Sequence, residues 1–337
     1  MGRVGNFLLW LIGGLLVGAL IGWGSEIVFD KLFKSPKLYL RRMLIMVLSE
    51  VLLILYIFLP LYRAYQITHP ARYPVMIKPS DLEASCEAIT IPTTDGVHLA
   101  GWYIPSRNGA AIIAIHGSNG NRTHMLHHAE ILAQHGYGVL LFDLRAHGES
   151  GGSYFPFAND SADVLAAVAY LQSRPEVDPQ RIGGIGLSLG AMVIIQGAAR
   201  AQAIQAVIAD GADATKLDDY FPLPPQYQVM GFMIPEIWMT DRFLGLFSGV
   251  PATAMKELVP TIAPRPILFI STGQDDEQFI NPRFFELGGP TAQLWELPDT
   301  GHTGGIFAHP EEYTQHMLSF FDTNLLNKTK TANTSQR

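Results

Sequence analysis

One stretch limits the folds open to this chain more than any other. Ile182–Leu187 is a short apolar run, Gly186-Leu187-Ser188-Leu189-Gly190 follows without a break, and a second apolar run continues over 189–201. The first reads as a strand and the second as a helix. A strand that becomes a helix this abruptly must turn sharply, with the serine held in a strained conformation and the flanking glycines preventing side-chain collisions. Ser188 is therefore the candidate nucleophile; the plainer reading, a helix N-cap serine, is outweighed by the glycine pair. Gly148-Glu149-Ser150-Gly151-Gly152 fits the same G-x-S-x-G pattern. It follows a polar stretch, however, and leads into Gly-Ser-Tyr with no helix beginning. Ser150 reads as a loop serine.

The surrounding residues extend the pattern. Segments 86–92 and 97–104 flank Thr94-Asp95-Gly96, a hairpin signal. Strands are expected at Ala111–Ile115, Gly138–Phe142, Ile182–Leu187, 206–209, 267–271 and Gln293–Leu297. Helices are expected over 123–135, 160–171, 189–201 and 311–325. Apolar strands alternating with helices imply an α/β domain with a mostly parallel sheet covered by helices on both faces. Reactive groups in such sheets collect at the carboxyl ends of the strands.

A hydroxyl of ordinary acidity needs a base, and the base needs an orienting carboxylate. With the nucleophile on a strand-to-helix turn, the chain order is Ser, acid, His. His302, in a flexible loop directly after the last strand, is the expected base; His309 and His316 read as surface or packing residues. The acid is expected at Asp276 or Asp275, in the loop after 267–271, with Asp210 an outside candidate. Backbone N–H groups must stabilise a developing oxyanion. The expected donors are Leu189, which follows the nucleophile, and Ser118, in the loop His116-Gly117-Ser118-Asn119-Gly120. Asp143 and His147 are expected to shape the rim through loop hydrogen bonds. His124, His127 and His128 lack the Glu of H-E-x-x-H and a third ligand, and read as a solvated helix end. Cys86 is the single cysteine, which excludes a cysteine-based metal cluster. No metal and no cofactor are expected.

The apolar excess, 48% of 337 residues, is concentrated near the N-terminus. Residues 7–24 carry no charge, and 43–62 form a second apolar run broken only by Ser49 and Glu50. Each is about long enough to cross a ~30 Å hydrocarbon layer. Together they predict a transmembrane helical hairpin, giving a membrane anchor at 1–65, a linker at 66–84, a catalytic domain at 85–325 and a polar tail at 326–337. Lys31, Lys34, Lys37, Arg41 and Arg42 lie between the two runs. The positive-inside rule then puts that loop in the cytoplasm and the rest of the chain outside it. With a net charge of −7 and no other basic block, nucleic acid is not an expected partner.

Residues 212–262 form an insertion where a short connection would suffice, rich in Pro, Met and aromatics. Long insertions of this kind are usually functional, and this one reads either as a lid whose apolar lining suits an acyl chain or, since Met and aromatics mark cores as readily as pockets, as a segment simply packed on the domain.

These residues resemble the α/β-hydrolase superfamily, serine-hydrolase branch. They look most like membrane-anchored members of the serine aminopeptidase/monoacylglycerol-lipase-like type, including the Bem46-like proteins. The resemblance spans about 85–325. It is carried by Asp95-Gly96, Gly101-Trp102-Tyr103, His116-Gly117, Gly120-Asn121-Arg122, 143–150, 186–190, Ala263-Pro264-Arg265-Pro266, 273–276 and Gly301-His302. It implies an α/β-hydrolase fold and hydrolysis of an ester, thioester or amide, from a small-molecule or lipid-like acyl substrate, through an acyl-enzyme. It also implies a triad of Ser188, Asp276 and His302, because the family's Gly-x-x-Asp after the strand selects Asp276. The chain departs from the family at Ser271-Thr272-Gly273, where members often carry His-Gly, which changes the loop and not the triad. The alternative is a catalytically silent α/β-hydrolase fold serving as a scaffold at the membrane.

Overall fold

The computed structural model describes residues 36–81, 85–154, 160–248, 252–273 and 277–327. Its centre is a sheet of eight strands: β1 (Glu87–Pro92), β2 (His98–Ile104), β3 (Ala111–Ile115), β4 (Gly138–Phe142), β5 (Ile182–Leu187), β6 (Ile204–Asp210), β7 (Ile267–Thr272) and β8 (Gln293–Leu297). Their order is β1-β2-β4-β3-β5-β6-β7-β8. β1 and β2 form the expected hairpin, and β2 meets β4 antiparallel; every pairing from β4 across to β8 is parallel. Every residue of β3, β4, β5 and β7 is buried. That is why these strands read as continuous apolar runs without alternation: helices cover both faces of a parallel sheet. Parallel strands also carry their carboxyl ends to one edge, so the loops after β3 to β8 gather there.

The helices agree with the sequence reading where it made one. Arg122–Met125 is a 3-10 turn leading into the helix Leu126–Gln134, and Asp160–Gln172, Leu189–Arg200 and Pro310–Phe321 follow the predicted segments. The helices Met255–Ile262, Glu277–Leu287 and Gly305–Ala308 were not anticipated. Two of these carry an internal proline, Pro260 and Pro282, a residue that argues against helix when only the sequence is in view.

By packing, the chain divides into two compact units, 69–222 with 250–337, and 1–68 with 223–249. The first holds the sheet and the stem of the insertion. There the buried Asp219 carboxylate accepts from Thr215 N (3.0 Å), Met255 N (3.1 Å) and Lys256 N (2.9 Å). It joins the outgoing and returning segments and caps the helix Met255–Ile262.

In the second unit the helix Pro36–Leu53 passes through a π turn, Ile54–Phe58, into the helix Leu59–Thr68. Pro60 lacks an N–H and crowds the carbonyl four residues back, so the widened turn falls where the regular ladder is broken. Over Met43–Thr68 this helix is long and apolar enough to cross a membrane. Among the described residues it is the one such helix. The first apolar run, 7–24, lies outside the described residues, so the expected two-helix hairpin has one described member. The helix continues to Thr68, beyond the 62 and 65 set from sequence. The helix Ile234–Ser248, from the insertion, packs along it, and Arg63 Nη1 donates to the buried Glu236 carboxylate at 3.1 Å.

Candidate active site

Ser188 stands between β5 and the helix Leu189–Arg200 with φ 53° and ψ −117°. A non-glycine residue held there stores about 1–3 kcal/mol, a cost that persists only where the surrounding structure fixes it. The fixing contacts are present. Ser188 N donates to Asp210 O at 2.8 Å across to the end of β6. A Cβ at Gly186 would collide with the Gly190 carbonyl, and one at Gly190 with the carbonyls of Ile115 and His116. Both glycines of the motif are therefore required by close backbone approach.

The loop after β3 lies against this turn: a Cβ on Gly117 would sit 3.3 Å from Ser188 Cβ. His116 is fully buried and struts the loop, with Nδ1 on Gly117 O at 2.7 Å and Nε2 accepting from Leu144 N at 3.1 Å. Burial drives its pKa down to about 3, so it is a neutral structural imidazole and does not exchange protons near neutral pH. Of the two expected oxyanion donors, Leu189 is the first residue of its helix, where backbone N–H groups have no partner within the helix. Ser118 is exposed in the loop beside Gly117.

The loop after β4 holds the second G-x-S-x-G. Ser150 is completely buried, donates from Oγ to Asp143 O at 2.6 Å and accepts from Ala100 N at 2.9 Å. It is a structural loop serine, as its context indicated. Asp143 organises the same loop, accepting from Arg122 N (2.7 Å), Glu149 N (2.8 Å) and the Arg122 guanidinium. His147 Nδ1 contacts Arg145 O at 3.0 Å. Asp143 and His147 thus shape loops by hydrogen bonding, as expected.

At the other side of the sheet, His302 follows β8 in the loop assigned to the base. Among the described residues, the carboxylate brought to it is that of Glu277. Asp275 and Asp276 lie outside the described residues; Glu277, the next residue, contacts His302 Nδ1 through Oε1. Glu277 Oε2 is held by Thr272 N at 2.9 Å and Thr272 Oγ1 at 3.0 Å, folding the side chain back over the end of β7. Burial would raise the Glu277 carboxyl, but the bonds from His302 and Thr272 prevail and hold it below the usual range. The hydrogen bond that His302 donates to Glu277 correspondingly raises the imidazole above its ordinary value, against desolvation, with smaller help from the Glu277, Asp210 and Asp213 charges. With Nδ1–H donated to a carboxylate, the basic lone pair of His302 is on Nε2. The His302 side chain is 42% exposed while that of Glu277 is 6% exposed, so the imidazole is open to solvent and its partner is shielded.

The end of β6 links the two halves. Asp210 O receives Ser188 N, and the next residue, Gly211 (φ 66°), presses on the base: a Cβ there would lie 2.9 Å from His302 Cε1 and 3.1 Å from Nδ1. Ser188 and His302 thus both abut one dipeptide, Asp210-Gly211. The Asp210 carboxyl is fully buried, accepts from Tyr313 Oη at 2.7 Å, and is pushed up to about 7, mainly by burial.

His128, expected to be solvated, is buried, with Nε2 3.3 Å from Tyr313 Oη. Its ring lies edge-on to Tyr313 of the helix Pro310–Phe321, so one face of the three-histidine cluster is interior. His127 stacks on Phe307. His309 pairs with Asp299 and His316 stacks on Trp295, packing roles in line with the sequence.

Comparison with known proteins shows the family. The model of the alpha/beta hydrolase family matches residues 112–316. The chain is 25% identical over 245 residues to the protein YfhR of Escherichia coli, covering 70% of this chain and 80% of that one. It is 30% identical over 131 residues to the thiohydrolase aneE of Aspergillus aculeatus, covering 37% and 41%. Among solved structures it is similar to the esterase Pf2001 of Pyrococcus furiosus, with a TM-score of 0.63 at 28% identity, covering 77% of this chain and 98% of that one.

Proposed function

Because this chain belongs to the alpha/beta hydrolase family, we propose that it is a membrane-anchored serine hydrolase working through a Ser188–His302–Glu277 triad. Ser188 Oγ attacks the substrate carbonyl carbon as its proton passes to His302 Nε2. The imidazolium is stabilised by the Glu277 carboxylate at Nδ1–H. The oxyanion of the tetrahedral intermediate is received by the N–H groups of Leu189 and Ser118. His302 then returns the proton to the leaving group as the carbon–leaving-group bond breaks. Water, deprotonated by the same imidazole, hydrolyses the acyl-enzyme and restores Ser188.

Glu277 takes the role that the family pattern assigned to Asp276, on the strength of its contact with His302. The observation that carries the whole reading is the shared Asp210-Gly211 abutment, with the strained Ser188 backbone bonded to one residue and the His302 ring against the next. The esterase and thiohydrolase among similar proteins favour an ester or thioester of an acyl chain, with an amide the remaining member of the class. The helix Met43–Thr68 supports the membrane anchor. The basic residues between 31 and 42 favour a hydrolase domain outside the cytoplasm, in keeping with the membrane-anchored, Bem46-like resemblance.

The deciding experiment is labelling with a fluorophosphonate probe. Native protein is expected to label and Ser188→Ala to remain unlabelled, with p-nitrophenyl esters of rising chain length, their thioester counterparts and aminoacyl amides then ranking substrates. Folded native protein that takes up no probe points instead to a silent scaffold.

A further inference from the structure

The insertion between β6 and β7 does not pack as one piece. Its stem belongs to the sheet unit, whereas 223–249 packs with the candidate membrane helix. Within that second unit, the helix Ile234–Ser248 lies against both Ile54–Phe58 and Leu59–Thr68. At 1.5 Å per residue, a hydrocarbon layer of about 30 Å entered at Met43 is crossed in about 20 residues, which brings the far boundary near Arg63. The Arg63–Glu236 ion pair therefore falls at headgroup level, where a half-exposed guanidinium and a carboxylate cost least. The contacts to Ile54–Phe58 fall inside the apolar layer. A helix packed beside that stretch shares its depth.

The side chains left uncovered agree. Leu44, Val47 and Leu48 are exposed on the span, and Phe232 (68%), Trp238 and Leu246 (75%) are exposed on the insertion segment of the same unit. Apolar side chains exposed to this degree therefore occur on both the span and the insertion segment of one packed unit, more than the scattered single residues of an ordinary water-facing surface. Arg242 lies 4.9 Å over the Trp238 ring, a pairing suited to the headgroup zone, where tryptophan rings and basic side chains anchor.

We propose that the Ile234–Ser248 helix is docked in the lipid bilayer beside the span, with Phe232, Trp238 and Leu246 facing lipid. The insertion is then a membrane-held element and not a lid free in water. This rests on the reading of Met43–Thr68 as a span, and the test separates the two. In a Cys86→Ser background, single cysteines replace Val47, Leu48, Phe232, Trp238, Leu246 and, as a water-exposed reference, Glu311. Each full-length variant is spin-labelled and reconstituted in phosphatidylcholine/phosphatidylglycerol vesicles, and its collision rates with oxygen and with a water-soluble nickel chelate are compared.

The oxygen-to-nickel ratio at 246 is expected to approach that at 47 and 48, and the ratios at 232 and 238, nearer the headgroups, to be lower but still to exceed that at 311 several-fold. Nickel access at 232, 238 and 246 equal to that at 311, with 47 and 48 still in lipid, overturns the docking and leaves the span intact. Nickel access at 47 and 48 as well removes the span itself. Labels at 232, 238 and 246 shielded from both reagents mean that protein, for example a second copy of this chain, covers the face, and that too overturns the proposal. The three positions are independent surface sites, so a variant that fails to fold leaves the others to decide.

Discussion

The chain carries the five-residue pattern G-x-S-x-G twice, and the two copies end in opposite states. At Gly148–Gly152 the serine is wholly buried, and its hydroxyl is spent on Asp143 O and Ala100 N. At Gly186–Gly190 the serine is half-buried, sits at φ 53° and abuts the loops after β3 and β6. One serine holds a loop together; the other is held by everything around it. The pattern alone is therefore a weak predictor. The informative signal is the strand before it and the helix after it, which impose a turn too tight for any residue pair but glycine at its flanks.

Substitutions at the two serines should separate by kind of damage as well as size. Ser188→Ala is expected to lower ester hydrolysis by more than about a thousandfold, while Ser150→Ala retains activity within a few-fold; equal losses in kcat would break the contrast. The next largest effect concerns the acid. Glu277→Gln should cost about 10²–10⁴-fold in kcat/KM, and Asp276→Asn should leave it nearly unchanged. The opposite ranking would return the role to Asp276.

A third expectation is a pH dependence. The Glu277 bond raises His302 above the ordinary imidazole value, and the base works only when Nε2 is unprotonated. Activity therefore falls as pH drops through that raised pKa. The acidic limb of kcat/KM should lie above about 6.5 in the native enzyme and move to lower pH in Glu277→Gln; a limb that stays in place means another group titrates. The smallest effect is on stability. Ser150→Ala leaves the part-buried Ala100 N–H without its acceptor, at a cost of about 1 kcal/mol, read as a Tm lower by a few degrees with Ser188→Ala as the comparison.

Part of the candidate site could be read before any coordinates. Ser188 and His302 follow from strand context and chain order, and β3, β4, β5 and β8 have the boundaries set from hydrophobic runs. The acid was harder. Asp275, Asp276 and Glu277 are consecutive, and the family pattern points to the second. What places Glu277 on His302 is the start of the helix Glu277–Leu287 and the grip of Thr272 on its carboxylate. The available signal was Thr272, a hydroxyl five residues before a glutamate at the end of a strand, and it acquires meaning only once the loop is folded back. His128 misled for a related reason: adjacent histidines look alike in a polar cluster, and only the packing of Tyr313 against that helix makes one of them interior.

The amino-acid order by itself determined the parallel sheet, the elbow at Ser188 and an apolar helix able to cross a membrane, because each depends on residues close together in the chain. The tertiary structure alone decided that Glu277 meets the His302 imidazole, that Ser188 and His302 both abut Asp210-Gly211, and that residues 223–249 pack with the candidate span. Those depend on the direction of side chains at the ends of elements and on contacts between segments up to about 180 residues apart, such as the 173-residue separation of Arg63 and Glu236. Local sequence carries no record of either.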